Sequence, residues 1–135
     1  MAEATGKTIK VVVVTPERAV LDEPADMVIL PLFDGEFGVM ANHSPFVGQL
    51  GPGELRIKRG DGILSYFIDG GFAQVSGNTV NVLTQFARKK DDLTDALIGG
   101  EKAKAEALPA TNEVEKATKS RMATRAAAMA RVAKK

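Results

Sequence analysis

Few residues in this chain of 135 residues could carry acid–base chemistry at neutral pH. His43 is the only histidine, and it lies in the polar run Asn42-His43-Ser44-Pro45. No serine or cysteine nucleophile with a matched acid is visible, and Ser44 is merely adjacent to His43. One histidine with scattered carboxylates is also no ligand set for a metal ion. We therefore expect neither a catalytic nor a metal site, and we interpret His43 as a residue that packs within its loop.

The second polar group is the acidic turn, Asp34-Gly35-Glu36. It follows an apolar run that ends at Leu30 and is typical of a buried strand. Aspartate and glycine tolerate the positive φ values that tight turns need, so we predict a turn at Asp34-Gly35. Carboxylates on a stiff turn at the end of a sheet are typical of a contact loop.

Two glycine-containing segments share the glycines of phosphate-binding loops but lack the other requirements for phosphate binding. Neither Gly51-Pro52-Gly53 nor Gly70-Gly71 is followed by a Lys-Ser/Thr pair or by the start of a predicted helix. We interpret both as turns and expect no cofactor.

Charge divides the chain into two parts. Residues 1–87 hold 6 Lys/Arg and 10 Asp/Glu, a net −4, whereas residues 88–135 hold 12 Lys/Arg and 7 Asp/Glu, a net +5. The polar start lacks a signal or transit pattern, and no apolar run reaches the roughly 18 residues of a membrane span. We expect a protein made and kept in the cytoplasm, with domains over residues 1–87 and 88–135.

The first domain has the pattern of a β-sandwich. Short apolar runs alternate with Gly- and Pro-containing turns about every 8–12 residues. Pro16 and Pro24 cannot donate to a ladder, so we expect pairing to stop at each. We predict an antiparallel sandwich of eight to ten short strands. The segments are residues 8–14, 18–22, 25–31, 36–40, 46–50, 54–58, 63–68, 72–76 and 79–83.

The second domain is predicted to be a two-helix hairpin. Asp92 could cap a first helix beginning at Leu93, and Leu108-Pro109 should end it. Gly99-Gly100 should weaken that helix, by about 1 kcal/mol per glycine relative to alanine. A helical period places the following residues on one side of it: Leu93, Ala96, Leu97, Gly100, Ala107 and Leu108.

A second helix is expected from Asn112 to about Val132. Asn112 and Glu115 form an N-x-x-E pattern similar to a capping box. Its apolar stripe is thin, so we expect loose packing; the stripe consists of Val114, Met122, Met129 and Val132.

Six segments in order carry a family resemblance. They are Val14-Thr15-Pro16-Glu17 with Leu21, Asp26 to Pro31, Gly35-Glu36-Phe37-Gly38-Val39, Asn42-His43-Ser44-Pro45, Gly53-Glu54-Leu55-Arg56-Ile57 and Tyr66-Phe67-Ile68-Asp69-Gly70-Gly71-Phe72. Together they resemble the epsilon subunit of the F-type ATP synthase, which the mitochondrial complex calls delta. The resemblance is most specific over residues 8–87, and an Ala-rich helical pair follows.

The resemblance implies a non-catalytic rotor subunit at the foot of the central stalk. Its partners would be the gamma subunit and the c-ring, with the alpha and beta subunits within reach of the C-terminal helices. In the family an acidic loop faces the ring, and the matching residues here are Asp34, Gly35, Glu36 and His43. The subunit would be peripheral, on the cytoplasmic face of a bacterial inner membrane, and membrane-associated only through the complex.

The family's helical hairpin can extend along the stalk and brake ATP hydrolysis, and some members bind ATP beside the first hairpin helix. The matching segment here has Thr94 in place of the acid and Leu97 in place of the arginine of that ATP motif. We therefore predict no nucleotide site of that kind.

An alternative is a nucleic-acid-binding module that uses the basic C-terminal helices. Its support is the net charge of +5 over residues 88–135. Aromatic residues make up only 5% of the chain and form no stacking array, which argues against this alternative.

Overall fold

The computed structural model describes residues 8–134. It divides into two compact units, Met1–Ala87 and Arg88–Lys135. The predicted fold class is confirmed: strands in two sheets are followed by two helices.

Ten strands lie within the described residues and form two five-stranded sheets. Their order is β2-β1-β9-β8-β5 in the first sheet and β10-β7-β6-β3-β4 in the second. The strands are β1 (Ile9–Val14), β2 (Ala19–Ala25), β3 (Met27–Leu32), β4 (Gly35–Met40), β5 (Phe46–Gln49), β6 (Gly53–Arg59), β7 (Gly62–Asp69), β8 (Phe72–Ser76), β9 (Thr79–Leu83) and β10 (Phe86–Lys89).

The core of the sandwich consists of the inward-facing residues of both sheets. In β1 the burial alternates residue by residue, with Val11 and Val13 fully buried and Lys10 exposed. The second sheet contributes Val28 and Leu55, which are also fully buried. This alternation follows from the two-residue period of side chains along a strand.

Three features of the sheets differ from the prediction. Strands β1 and β9 pair in parallel, whereas the pairs β1–β2, β3–β4, β3–β6, β5–β8, β6–β7 and β8–β9 are antiparallel. Pro24 lies within β2, opposite Lys10, and does not end it. The sheet tolerates a proline at this position because β2 is an edge strand and has a neighbour, β1, on one side only. The missing proline N–H therefore removes no hydrogen bond to a strand on the other side. Strand β10 was not predicted, since its four residues, Phe-Ala-Arg-Lys, carry no alternation.

The second unit contains helices α1 (Asp95–Ala107) and α2 (Glu113–Ala133) after a 3₁₀ turn, Lys90–Asp92. The predicted start of α1 was wrong: Thr94, and not Asp92, is the N-cap, and its hydroxyl accepts a hydrogen bond from the Leu97 N–H at 3.1 Å. A threonine hydroxyl meets the need of an unpaired N–H in the first helical turn, which explains this choice.

The predicted Asn112 cap of α2 is present. Its side-chain oxygen accepts from the Glu115 N–H at 2.8 Å. Glu115 reaches back to Thr111, whose backbone N–H donates to its carboxylate at 2.9 Å. A weaker hydrogen bond from the Asn112 backbone also reaches this carboxylate, as in a capping box. The hydrogen bonds from the Thr111 hydroxyl and then its N–H hold the pKa of Glu115 below its ordinary value.

The predicted apolar face of α1 is observed only in part: Leu93 is buried and Leu97 and Leu108 are half-buried. The buried α1 residues are Glu101 and Ala105, whereas Ala96, Gly100 and Ala107 are exposed. Alanine and glycine side chains differ little from their neighbours in apolar character. The helical period therefore could not predict which side of α1 is buried. Helix α1 is continuous through Gly99 and Gly100, the pair predicted to weaken it. In α2, Met129 and Val132 are buried as expected, but Val114 is exposed.

We expect residues 1–90 alone to fold as a stable sandwich. The fragment keeps all ten strands and the core, since β10 ends at Lys89. Urea unfolding should give one cooperative transition with retained β-type circular dichroism. A broad, non-cooperative transition would contradict independent folding of this part.

Replacing Gly99 or Gly100 by alanine should stabilise α1 by about 1 kcal/mol each. An added Cβ at either glycine has no neighbour within 4 Å. Hydrogen exchange of the α1 amides measures the change, and faster exchange in either variant would refute it.

The matched control is Gly71→Ala in the sandwich. There φ is +99° and a Cβ would lie 1.9 Å from the Leu83 carbonyl oxygen, so this variant should unfold at a lower urea concentration than the wild type.

Candidate docking surfaces

The acidic turn lies at one end of the second sheet. Asp34 is in the turn between β3 and β4, and Gly35 and Glu36 are the first residues of β4. All three are exposed. His43 follows the opposite end of the six-residue β4, so the structure groups the first three predicted residues and separates the fourth along the strand.

Backbone hydrogen bonds fix the position of this turn. The Phe33 N–H donates to the Gln49 carbonyl at 2.8 Å, and the Gly51 N–H donates to the Pro31 carbonyl at 2.9 Å. Leu32 and Leu50 form an isolated bridge. Gly35 takes a φ of +138°, a region in which L side chains are strained. The turn therefore joins strands of both sheets and is held as a rigid projection.

Phe33 is the apolar member of this projection, and sequence reasoning missed it. It precedes the acidic turn directly, and 74% of it is exposed. A large aromatic side chain on a fixed backbone can be buried by a partner with little loss of conformational freedom. The sequence does place an aromatic residue directly before a predicted turn. The alternation of polar and apolar residues, taken alone, assigns such a residue to the end of a buried strand and not to an exposed surface.

Arg56 and Glu54 were also missed as neighbours of the acidic turn. The Arg56 Nη2 donates to Glu36 Oε1 at 3.0 Å, and its Nη1 lies 3.9 Å from Glu54 Oε1. The Glu54 side chain is only 4% exposed. One guanidinium therefore lies between an exposed and a buried carboxylate.

His43 takes part in an aromatic cluster. Its ring is edge-on to Phe37 and Phe46, with centroid distances of 5.3 and 6.4 Å, and those two rings stack at 4.7 Å. His43 Nδ1 lies 2.7 Å from the Ser44 carbonyl oxygen, a distance at which an Nδ1–H would donate. These contacts fit the interpretation of His43 as a packing residue.

The outer face of the first sheet carries a second exposed feature, the apolar row. It consists of Val14, Leu83 and Phe72, which are 36%, 55% and 56% exposed. The residues are direct neighbours across β1, β9 and β8, because Leu83 pairs with both of the others. Val47 lies on β5 in the same sheet and is 67% exposed. Apolar residues that cluster on an outer face are typical of a protein–protein contact.

We also searched residues 8–134 for a metal site and for the nucleotide site of some family members. No three His, Cys, Asp or Glu side chains in this part of the chain are arranged to hold a metal ion. Thr94, at the position of the acid in the ATP-binding pattern, caps α1 through its hydroxyl.

Neither helix in the described part of the chain has the length and apolar character needed to span a bilayer.

The sandwich matches a known family model. The model describes the β-sandwich domain of the ATP synthase delta/epsilon chain and covers residues 8–90, which include both the acidic turn and the apolar row. More than half of the chain therefore lies within the match.

Three relatives illustrate the range of similarity. The ATP synthase epsilon chain of Rhodopirellula baltica is 56% identical over 77 residues, 57% of this chain and 60% of that one. The sodium ion specific epsilon chain of Propionigenium modestum is 45% identical over 80 residues, 59% of this chain and 58% of that one. These matches thus span about three fifths of each relative. The epsilon chain of Leptospira interrogans is 34% identical over 101 residues, 75% of this chain and 80% of that one.

Solved structures share the fold. A chain in the mitochondrial ATP synthase of Euglena gracilis superposes with a TM-score of 0.76 at 23% identity, covering 92% of this chain and 80% of that one. A chain in the Tetrahymena thermophila central stalk and c-ring structure gives 0.69 at 13% identity, covering 93% and 96%. The resemblance seen in the six sequence segments is confirmed, and this chain belongs to the ATP synthase delta/epsilon chain family.

Proposed function

We propose that this chain is a non-catalytic central-stalk subunit of a proton-translocating F-type ATP synthase. It couples rotation of the c-ring to the gamma subunit and has no active site of its own. The observation that carries the proposal is the family match over the whole sandwich, residues 8–90. The subunit lies peripherally on the cytoplasmic face of a bacterial inner membrane, attached through the complex.

Coupling of this kind requires two contacts on one stiff body, and the sandwich offers two surfaces that differ in chemistry. The acidic turn with Phe33 presents carboxylates beside an exposed aromatic ring. The apolar row presents branched and aromatic side chains on a sheet face. Because the buried core joins both sheets, a force applied at one surface reaches the other without a hinge between them.

We assign the acidic turn to the c-ring. Asp34, Gly35 and Glu36 form the contact, and His43 supports it by packing against Phe37, which directly follows Glu36. The polar loops of a membrane ring offer basic and amide groups, which carboxylates can bind. An exposed ion pair contributes only about 0–1 kcal/mol, so fixed placement and the burial of Phe33 contribute the rest of the contact.

We assign the apolar row to the gamma subunit. This stalk contact has to persist through rotation, and large apolar contacts are typical of permanent interfaces. The C-terminal hairpin is the regulatory part, which could reach the alpha and beta subunits and restrain ATP hydrolysis. The nucleic-acid alternative depends on the net charge of residues 88–135 and gains no support from the family match.

Glu36→Lys should uncouple the complex. Reversing the charge in the ring contact lowers ATP-driven proton pumping severalfold in inverted vesicles, whereas the thermal stability of the isolated chain changes little. Asp61→Lys is the matched control, because Asp61 is an exposed residue in the turn after β6. Normal pumping by the Glu36 variant, or equal losses in both, would contradict the ring assignment.

Leu83→Asp should weaken binding to the gamma subunit. A carboxylate placed in the apolar row would have to be desolvated, and we expect a Kd about tenfold higher, equivalent to about 1.4 kcal/mol. Titration calorimetry with the isolated gamma subunit measures the change. Ile63→Asp is the control, since Ile63 is 58% exposed but lies on the second sheet. An unchanged Kd for the Leu83 variant would reject this assignment.

A further inference from the structure

We propose that Arg56 is a positioning residue for the acidic turn: it holds the Glu36 carboxylate in a fixed orientation, and the buried Glu54 holds Arg56. This inference rests on the proposed contact between Glu36 and the c-ring. It adds two residues to the docking machinery that make no contact with the ring themselves.

The pairing of the strands brings the three side chains together. Arg56 in β6 lies opposite Ile29 in β3, and Ile29 lies opposite Gly38 in β4. Glu36 is two residues before Gly38 and Glu54 is two residues before Arg56, so each lies on the same face as its strand neighbour. The Arg56 side chain crosses β3 to reach Glu36 at 3.0 Å.

The guanidinium is held by its two terminal nitrogens. Nη2 donates to Glu36, Nη1 faces Glu54 at 3.9 Å, and the buried Nε has no hydrogen-bond partner among the described residues. The fork geometry of arginine lets one side chain serve two carboxylates, which the single ammonium group of lysine does less well.

Glu36 has the exposure expected of a prepared contact residue. Its side chain is 51% exposed, compared with 28% for Arg56 and 4% for Glu54. Oε1 receives the bond from Arg56, and a carboxylate keeps further acceptor positions for a partner. A glutamate that is already oriented loses less rotamer freedom on binding than a free one.

Positioning and simple charge attraction predict opposite results when Arg56 is removed. Without its positive charge the acidic turn becomes more negative, so attraction alone would strengthen binding to basic groups of the ring. Loss of positioning instead weakens binding, because Glu36 must then be ordered during docking. The sign of the change distinguishes the two effects.

The experiment measures binding of the full chain to membrane vesicles that carry the synthase depleted of this subunit. We expect Arg56→Met to raise Kd about 2- to 10-fold, the range for immobilising one flexible side chain. Arg56→Lys keeps the charge but should remain weaker than the wild type. In a Glu36→Gln background, Arg56→Met should cause no further loss, because Arg56 acts through Glu36.

Arg59→Met is the matched control. Arg59 lies on the same strand and pairs with Glu23, so its removal deletes an ion pair of similar exposure and should leave Kd unchanged. The ¹⁵N signals of the Arg56 side chain provide a second readout. They should show hindered rotation in the wild type and lose it in Glu36→Gln.

The outcomes separate this inference from the proposed function. If Glu36→Gln weakens binding but Arg56→Met leaves it unchanged or tighter, positioning by Arg56 is refuted and the ring contact stands. Additive losses in the double variant, or freely rotating Arg56 signals in the wild type, would also refute it. If Glu36→Gln binds as tightly as the wild type, the ring contact through Glu36 is wrong, and the inference fails with it.

Discussion

Burial of the inner faces of the two sheets is the constraint on which the rest of the structure depends. Val11, Val28 and Leu55 have none of their surface exposed, so no strand can slip by one residue without turning its apolar set toward water. The same register that buries Leu55 places Glu54 and Arg56 on the opposite face of β6. The core thereby determines which polar groups the second sheet presents beside the acidic turn.

The second unit is stabilised in a different way. Its helices carry many alanines, and their first turns are closed by side-chain caps from Thr94 and Asn112. The buried apolar side chains in the described part of this unit are Leu93, Met129, Val132 and three alanines, a smaller core than that of the sandwich. Partial opening should therefore cost less free energy here than in the sandwich. An element of this kind suits the regulatory role proposed for the hairpin, since a modest binding energy could change its state.

Much of the fold could be predicted from the sequence, because alternation and turn residues are local signals. Strands β8 and β9 were predicted with their observed bounds. The parallel pairing of β1 with β9 was not predictable, since parallel and antiparallel partners leave the same alternation. For the candidate site, the family resemblance indicated the acidic turn. The role of Arg56 could not be predicted, because its side chain reaches Glu36 across strand β3. One amino-acid sequence does not show which strands lie side by side.

The parallel pair also has a consequence for biosynthesis. Val14 belongs near the start of the chain and its partner Leu83 near the end of the sandwich. While the ribosome is still making the intervening strands, β1 and β2 can form a hairpin, but the other edge of β1 stays open. Closure must wait for β9, so this topology delays folding and leaves an unpaired edge on the nascent chain.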